Sequence, residues 1–171
     1  MHNIEPAKEK DSPKTADQTQ NCLEALSRMH DDINFIHLSD KSMEIEMSRV
    51  SVVCYPPPIS PPCQLVELAP DPSQVNRASD GVNFGTGDLI HDFNDLRGAA
   101  ERGGITVPAT KLAQQLQEMS FEISRMNLMT LRPNLNQYDK PGILVETDKI
   151  DRLCKTLDQE TSQIEKSLAK R

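Results

Sequence analysis

Between Cys22 and Cys54 the chain holds neither proline nor glycine, and an apolar side chain returns at almost every alternating step of four and three. The series is Cys22, Leu26, Met29, Ile33, Ile36, Met43, Met47, Val50 and Cys54, with Asp40 at the one polar step. That spacing puts one apolar seam along one side of a helix, as in a heptad repeat. A helix through the whole stretch would be on the order of 50 Å long at 1.5 Å per residue. So long a seam exceeds what a compact domain of 171 residues readily covers by itself, so it implies pairing with a second copy or with partner helices. Asp40 would then set register or oligomeric state at some loss of stability.

The side chains available for a core agree with helix pairing. Hydrophobic residues make up 36% of the chain, there is no Trp, and only Phe35, Phe84, Phe93, Phe121, Tyr55 and Tyr138 are aromatic. Packing therefore falls to Leu, Ile and Met. The formal charge of −7 and the absence of a strong basic cluster argue against nucleic-acid or anionic-membrane binding. No signal peptide and no apolar run of about 20 residues is present, so the expected location is cytoplasmic, without a membrane span. Cysteines 22, 54, 63 and 154 lack CxxC spacing and are expected as reduced thiols.

The expected fold class is mainly α: elongated coiled-coil-like helical segments, an αα-hairpin in the C-terminal half, a disordered N-terminal tail and a Pro-rich linker. Residues 1–16, charged and carrying Pro6 and Pro13, read as that tail; Ser12-Pro13 matches a proline-directed modification site. Residues 17–55 form the heptad-patterned segment. Its end has two readings, because 43–55 keeps heptad phase yet also alternates at period two and is rich in Val, which favours strand. Residues 56–80 read as a linker opening on a polyproline II stretch, where Pro58 and Pro61 form a PxxP pair and Ser60 lies between them. Within the linker, Leu65, Val66 and Leu68 mark a short packed segment.

Residues 81–133 read as the αα-hairpin. GVNFGTGD at 81–88 lacks the endings of a phosphate loop and reads as a flexible turn leading to a helix cap at Thr86 or Asp88. Leu89, Phe93, Leu96 and Ala100 follow at helical spacing, and Gly103-Gly104 stops the helix. Thr106 and Pro108 open the next, whose seam is Leu112, Leu116, Met119, Ile123 and Met126. Residues 134–147 read as a connector in which ILVET at 143–147 suits a short strand. Residues 148–171 read as a last amphipathic helix lined by Ile150, Leu153, Leu157, Ile164 and Leu168.

Catalytic and metal-binding patterns are missing. There is no GxSxG elbow, no HExxH helix and no cysteine framed by glycines with a histidine partner, so no enzyme activity, cofactor or metal is expected. His30 and His37, one heptad apart, and the His91-Asp92-Asp95 group are read as solvated helix positions. The expected function is a non-catalytic subunit or adaptor, a homo- or hetero-oligomer whose seams bind partner helices through Leu26 to Val50, Leu112 to Met126 and Ile150 to Leu157. A second reading takes Pro58 and Pro61 as the ligand of an SH3-type domain in a signalling adaptor. A third follows from Leu89, Phe93, Leu96, KLAQQLQEM and NLMTL: Asp88 to Leu131 resembles the helix-turn-helix of type III secretion inner-rod subunits over about a quarter of the chain, which implies a structural part of a bacterial secretion apparatus. The residues from Pro133 to Arg171 depart from those short proteins.

Overall fold

The computed structural model describes residues 13–58, 61, 63–132 and 134–170. The expected tail over 1–12 with its Ser12-Pro13 motif lies outside them, as does Ser60. The chain is mainly helical. Among the described residues four helices follow in order, α1 (Pro13–Met47), α2 (Pro72–Gly103), α3 (Ala109–Thr130) and α4 (Lys140–Leu168). Between α1 and α2 stand two short strands, β1 (Val50–Cys54) and β2 (Cys63–Glu67).

Each helix runs antiparallel to the one before, and α4 closes the ring against α1. The pairing is without slip. Along α1, Gln18, Arg28 and Phe35 meet Arg102, Asp92 and Gly85 of α2, each advance matched by an equal retreat. Along the other side His30 and His37 meet Asp158 and Asp151 of α4. Between α3 and α4, Lys111, Glu122 and Arg125 meet Glu160, Lys149 and Glu146.

This closure overturns the expectation that the long seam needs a second chain. At 35, 32 and 29 residues, α1, α2 and α4 are similar in length, so α1 is covered along its course by helices of the same molecule. One apolar core results, joining Leu26, Met29 and Ile36 of α1 to Val82, Leu89 and Leu96 of α2, Leu112 and Met119 of α3, and Ile150 and Leu157 of α4.

Several boundaries differ from the sequence reading, each for a local reason. Helix α1 already includes Pro13, within the expected tail. Helix α2 begins at Pro72 rather than after a flexible GVNFGTGD turn. Asp71 caps it, its side chain accepting from the Ser73 amide at 2.9 Å, and the glycines fall mid-helix. They serve close packing: a Cβ at Gly85 would stand 2.8 Å from Ile36 Cγ1, and one at Gly81 would collide with Ser39. The far end of α2 does follow expectation, at Gly104 with φ 63°, where the Ile105 amide donates to the Ala100 carbonyl at 2.9 Å.

Helix α4 begins at Lys140, so the ILVET run is helical and not a strand. Pro141 suits the first turn, and Ile143, Ile150 and Leu157 continue one buried stripe through it. The disputed 43–55 segment divides: Met43 and Met47 close α1, while Val50–Cys54 is extended. Its partner is Cys63–Glu67, in the antiparallel register Val50↔Glu67, Val52↔Leu65 and Cys54↔Cys63. The expected linker is thus a β-hairpin followed by the first turns of α2.

Candidate functional site

The residues expected to form partner-binding seams lie in the chain's own core. Leu26, Met29, Ile33, Ile36, Met43 and Met47 of α1 are buried, as are Leu112, Leu116, Met119, Ile123 and Met126 of α3 and Ile150 and Leu157 of α4. Leu153 is partly buried against them. Val50 is the exception at 53% exposed, because it has left the helix for β1. These side chains pack against one another inside the bundle.

Asp40 sits within that core, 0% exposed, and neither carboxyl oxygen has a hydrogen-bond partner. Burial pushes its pKa up to about 8, and the nearby Asp151 carboxylate adds to the rise while Lys41 opposes it. Lys41 is engaged by Glu44 on the outside of the helix. Cys154 lies on the facing helix, its thiol pushed up to about 12 by burial and then by Asp40, which leaves it without thiolate character.

The histidines do not sit free in solvent. His30 Nδ1 meets Asp158 and His37 Nδ1 meets Asp151, each at 2.8 Å, so both tie α1 to α4. The cleft between them, about 220 Å³ and walled by Ile33, His37, Cys154 and Asp158, is smaller than the roughly 300–1,000 Å³ of typical small-molecule pockets. The His91, Asp92 and Asp95 group has ligand atoms close enough to converge on a cation. Arg28 already supplies the positive charge there, donating to Asp92 and to Asp95 at 2.9 Å each. Asp92 is buried, unlike the solvated position expected of it, and beside it burial raises the Asp32 pKa to about 7, with Asp92 adding to the shift.

A larger hollow of about 490 Å³ lies beside the α1–α2 contact, lined by Phe35, Ile45, Ala78 and Gly81. Its buried acid, Glu46, is committed to structure. It accepts from Arg49 at 2.7 Å and from the Asp71 amide at 2.6 Å, which fixes the path of the chain between β2 and α2.

The hairpin differs in kind from the rest of the surface. Residues 50 to 66 hold no Asp, Glu, Lys, Arg or His, in a chain of which 26% is charged. Residues opposite one another share a face of the sheet, so Val50, Val52, Cys54, Cys63, Leu65 and Glu67 lie together. That face is outward: Val52 is 61% and Leu65 73% exposed. The other face carries Ser51, Val53, Gln64 and Val66, and Ser51 and Val53 are the less exposed residues of β1. The apolar side of this sheet therefore faces away from its support.

Two anchors hold the hairpin. At its base, the Lys140 ammonium donates to the Arg49 carbonyl at 3.1 Å and the Leu68 amide to the same carbonyl at 3.2 Å. At its tip, Cys54 and Cys63 form a disulfide with their Cα atoms 4.0 Å apart. This corrects the expectation of four reduced thiols; only Cys22 and Cys154 are free, both buried. It also corrects the polyproline II spacer. An extended stretch from Tyr55 to Pro62 would span about 25 Å at 3.1 Å per residue, whereas the flanking Cα atoms are 4.0 Å apart. Pro58 and Pro61 are thus exposed residues of a closed loop.

The hairpin was missed in the sequence because each strand is short and the loop between them is dominated by proline. The available signals were the period-two alternation of 43–55, the apolar Leu65-Val66 pair and a cysteine at either end of the loop. Among the described residues no helix is long and apolar enough to cross a membrane. No family model, no curated protein and no solved structure matches this chain.

Proposed function

We propose that this chain is a non-catalytic subunit of a protein assembly: a self-sufficient helical bundle that holds out a disulfide-closed β-hairpin as its docking element. The observation that carries this reading is the outward apolar run of Val50, Val52 and Leu65, with Glu67 at its base as the one charge on that face, clamped at both ends. Exposed apolar side chains scattered singly are ordinary on a protein surface, but these are contiguous and lie on a sheet whose edges meet no further strand among the described residues. The bundle's seams are consumed internally, so assembly through partner helices gives way to assembly through this hairpin.

Val52→Lys with Leu65→Lys tests the reading. Both side chains are exposed, so the helical circular dichroism and melting temperature should stay as they are while co-purification of partners from the expressing cell is lost. Unchanged co-purification by the folded double variant would end the proposal.

A further inference from the structure

We infer that the free edge of β2 is a self-association site whose occupant is the β2 strand of a second copy of this chain, antiparallel, with Leu65 on the two-fold axis. The inference rests on the hairpin being the docking element and names what docks there.

The backbone supplies the first argument. The Leu68 amide donates to the Arg49 carbonyl, so that opposed pair is a hydrogen-bonded one. Pairs alternate along an antiparallel ladder. Ser51↔Val66 and Val53↔Gln64 are then also hydrogen-bonded, while Val52↔Leu65 and Cys54↔Cys63 are not. The amides and carbonyls of Cys63, Leu65 and Glu67 consequently point away from β1. The sheet has two strands, so among the described residues nothing in the ladder meets those groups. All five β2 residues are exposed, whereas β1 alternates between exposed and partly covered. Strand edges of this kind are templates for another strand, and β2 carries neither Lys nor Pro to discourage one.

Side chains argue for a second copy as the occupant. Pairing about Leu65 sets Leu65 opposite Leu65 of the second copy, Val66 opposite Gln64 and Glu67 opposite Cys63. The central row across four strands reads Val52, Leu65, Leu65, Val52, apolar throughout and on the outward face of both hairpins. The strand's one charged residue, Glu67, is never opposite itself, which avoids the like-charge pairing that destabilises sheets. Two chains each of formal charge −7 repel over most of their surface. Residues 50 to 66 carry no charge, so the copies meet there without bringing acids together. The contact is isologous, and the symmetry closes it at two.

Light scattering coupled to size exclusion, on the intact oxidised chain over a dilution series, tests this. The mass should be twice 19.1 kDa at high concentration and fall towards 19.1 kDa on dilution. Leu65→Pro removes an amide that points away from β1, so it should leave the hairpin, the disulfide and the helical signal in place and give a monomer throughout. Leu128→Lys changes an equally exposed apolar side chain on α3, far from the hairpin in sequence, and should leave the dimer intact. A wild-type monomer at every concentration, a dimeric Leu65→Pro chain, or equal dissociation by Leu128→Lys would each overturn self-pairing. If the wild-type chain is monomeric while the Lys double variant still loses its partners, self-pairing fails and the docking reading stands. If that variant loses nothing, both fail.

Discussion

Replacing Asp40 by Asn should make the protein more stable at neutral pH, and by an amount that depends on pH in a defined way. The carboxyl is 0% exposed with neither oxygen partnered, and its pKa is raised from 3.8 to about 8. Between those values the folded chain holds a proton that the unfolded chain releases, so stability falls as pH rises through that window. Below about pH 4 both states are protonated and nothing is lost; above about pH 8 the loss is complete. Each pKa unit is worth 1.36 kcal/mol, so at pH 7, about three units above the unfolded value, the penalty reaches about 4 kcal/mol as an upper bound. Asn does not ionise in either state and escapes it. Urea titrations of both proteins at pH 4, 5.5, 7 and 9 measure the difference directly. Asp32 and Glu146, whose pKa values are also raised by burial first, are present in both proteins and cancel. The expected difference is small at pH 4, a few kcal/mol at pH 7, and level beyond pH 8. A difference that does not vary from pH 4 to 9 would refute the assignment of a buried, protonated Asp40.

The remaining predictions concern packing, the disulfide and the acidic cluster. Gly85→Ala places a methyl 2.8 Å from Ile36 Cγ1 and 2.9 Å from Phe35 Cδ1, so thermal melts should show a loss of about 1–3 kcal/mol, whereas Gly87→Ala, with open space around it, should gain slightly. Changing Cys54 and Cys63 together to Ser removes a closure over a sequence separation of 9, which in the chain-entropy treatment stabilises by about 2.5–3 kcal/mol. Hydrogen exchange should then accelerate in β1 and β2 and leave α3 unaffected. Arg28→Ala strands the buried Asp92 and should reduce stability by about 2 kcal/mol. The loss should be smaller at pH 5 than at pH 8, because protonation of neighbouring Asp32, whose pKa is about 7, removes one of the opposed charges.

How far the fold was legible follows from what each signal depends on. The seam of Leu26, Met29, Ile33 and Ile36 was visible because burial on one side of a helix imposes its period whatever lies opposite. For that same reason the period cannot tell a partner helix of another chain from α2 and α4 of the same one, so the sequence alone points equally to an interface. Gly81 and Gly85 suggest a turn locally because glycine is a turn residue; their use, admitting Phe35 and Ile36 of α1, exists only after folding. ILVET shows the same competition, its β-branched residues overruled by the stripe from Ile143 to Leu157. The hairpin was half visible. Alternation is visible in 43–55, but pairing with 63–67 is a contact across a proline loop, and neither strand is long enough to announce it.

Ile33→Asp tests most directly whether the heptad seam belongs to the fold, leaving assembly to the hairpin as proposed, when circular dichroism and light scattering are read on one sample. Ile33 is 3% exposed in the bundle core, and an unpaired carboxylate there should abolish cooperative helical structure in the isolated chain. If the variant instead keeps the full helical signal and melting temperature and loses only its oligomeric mass, the seam is an interface between chains, and the account given for this fold is wrong.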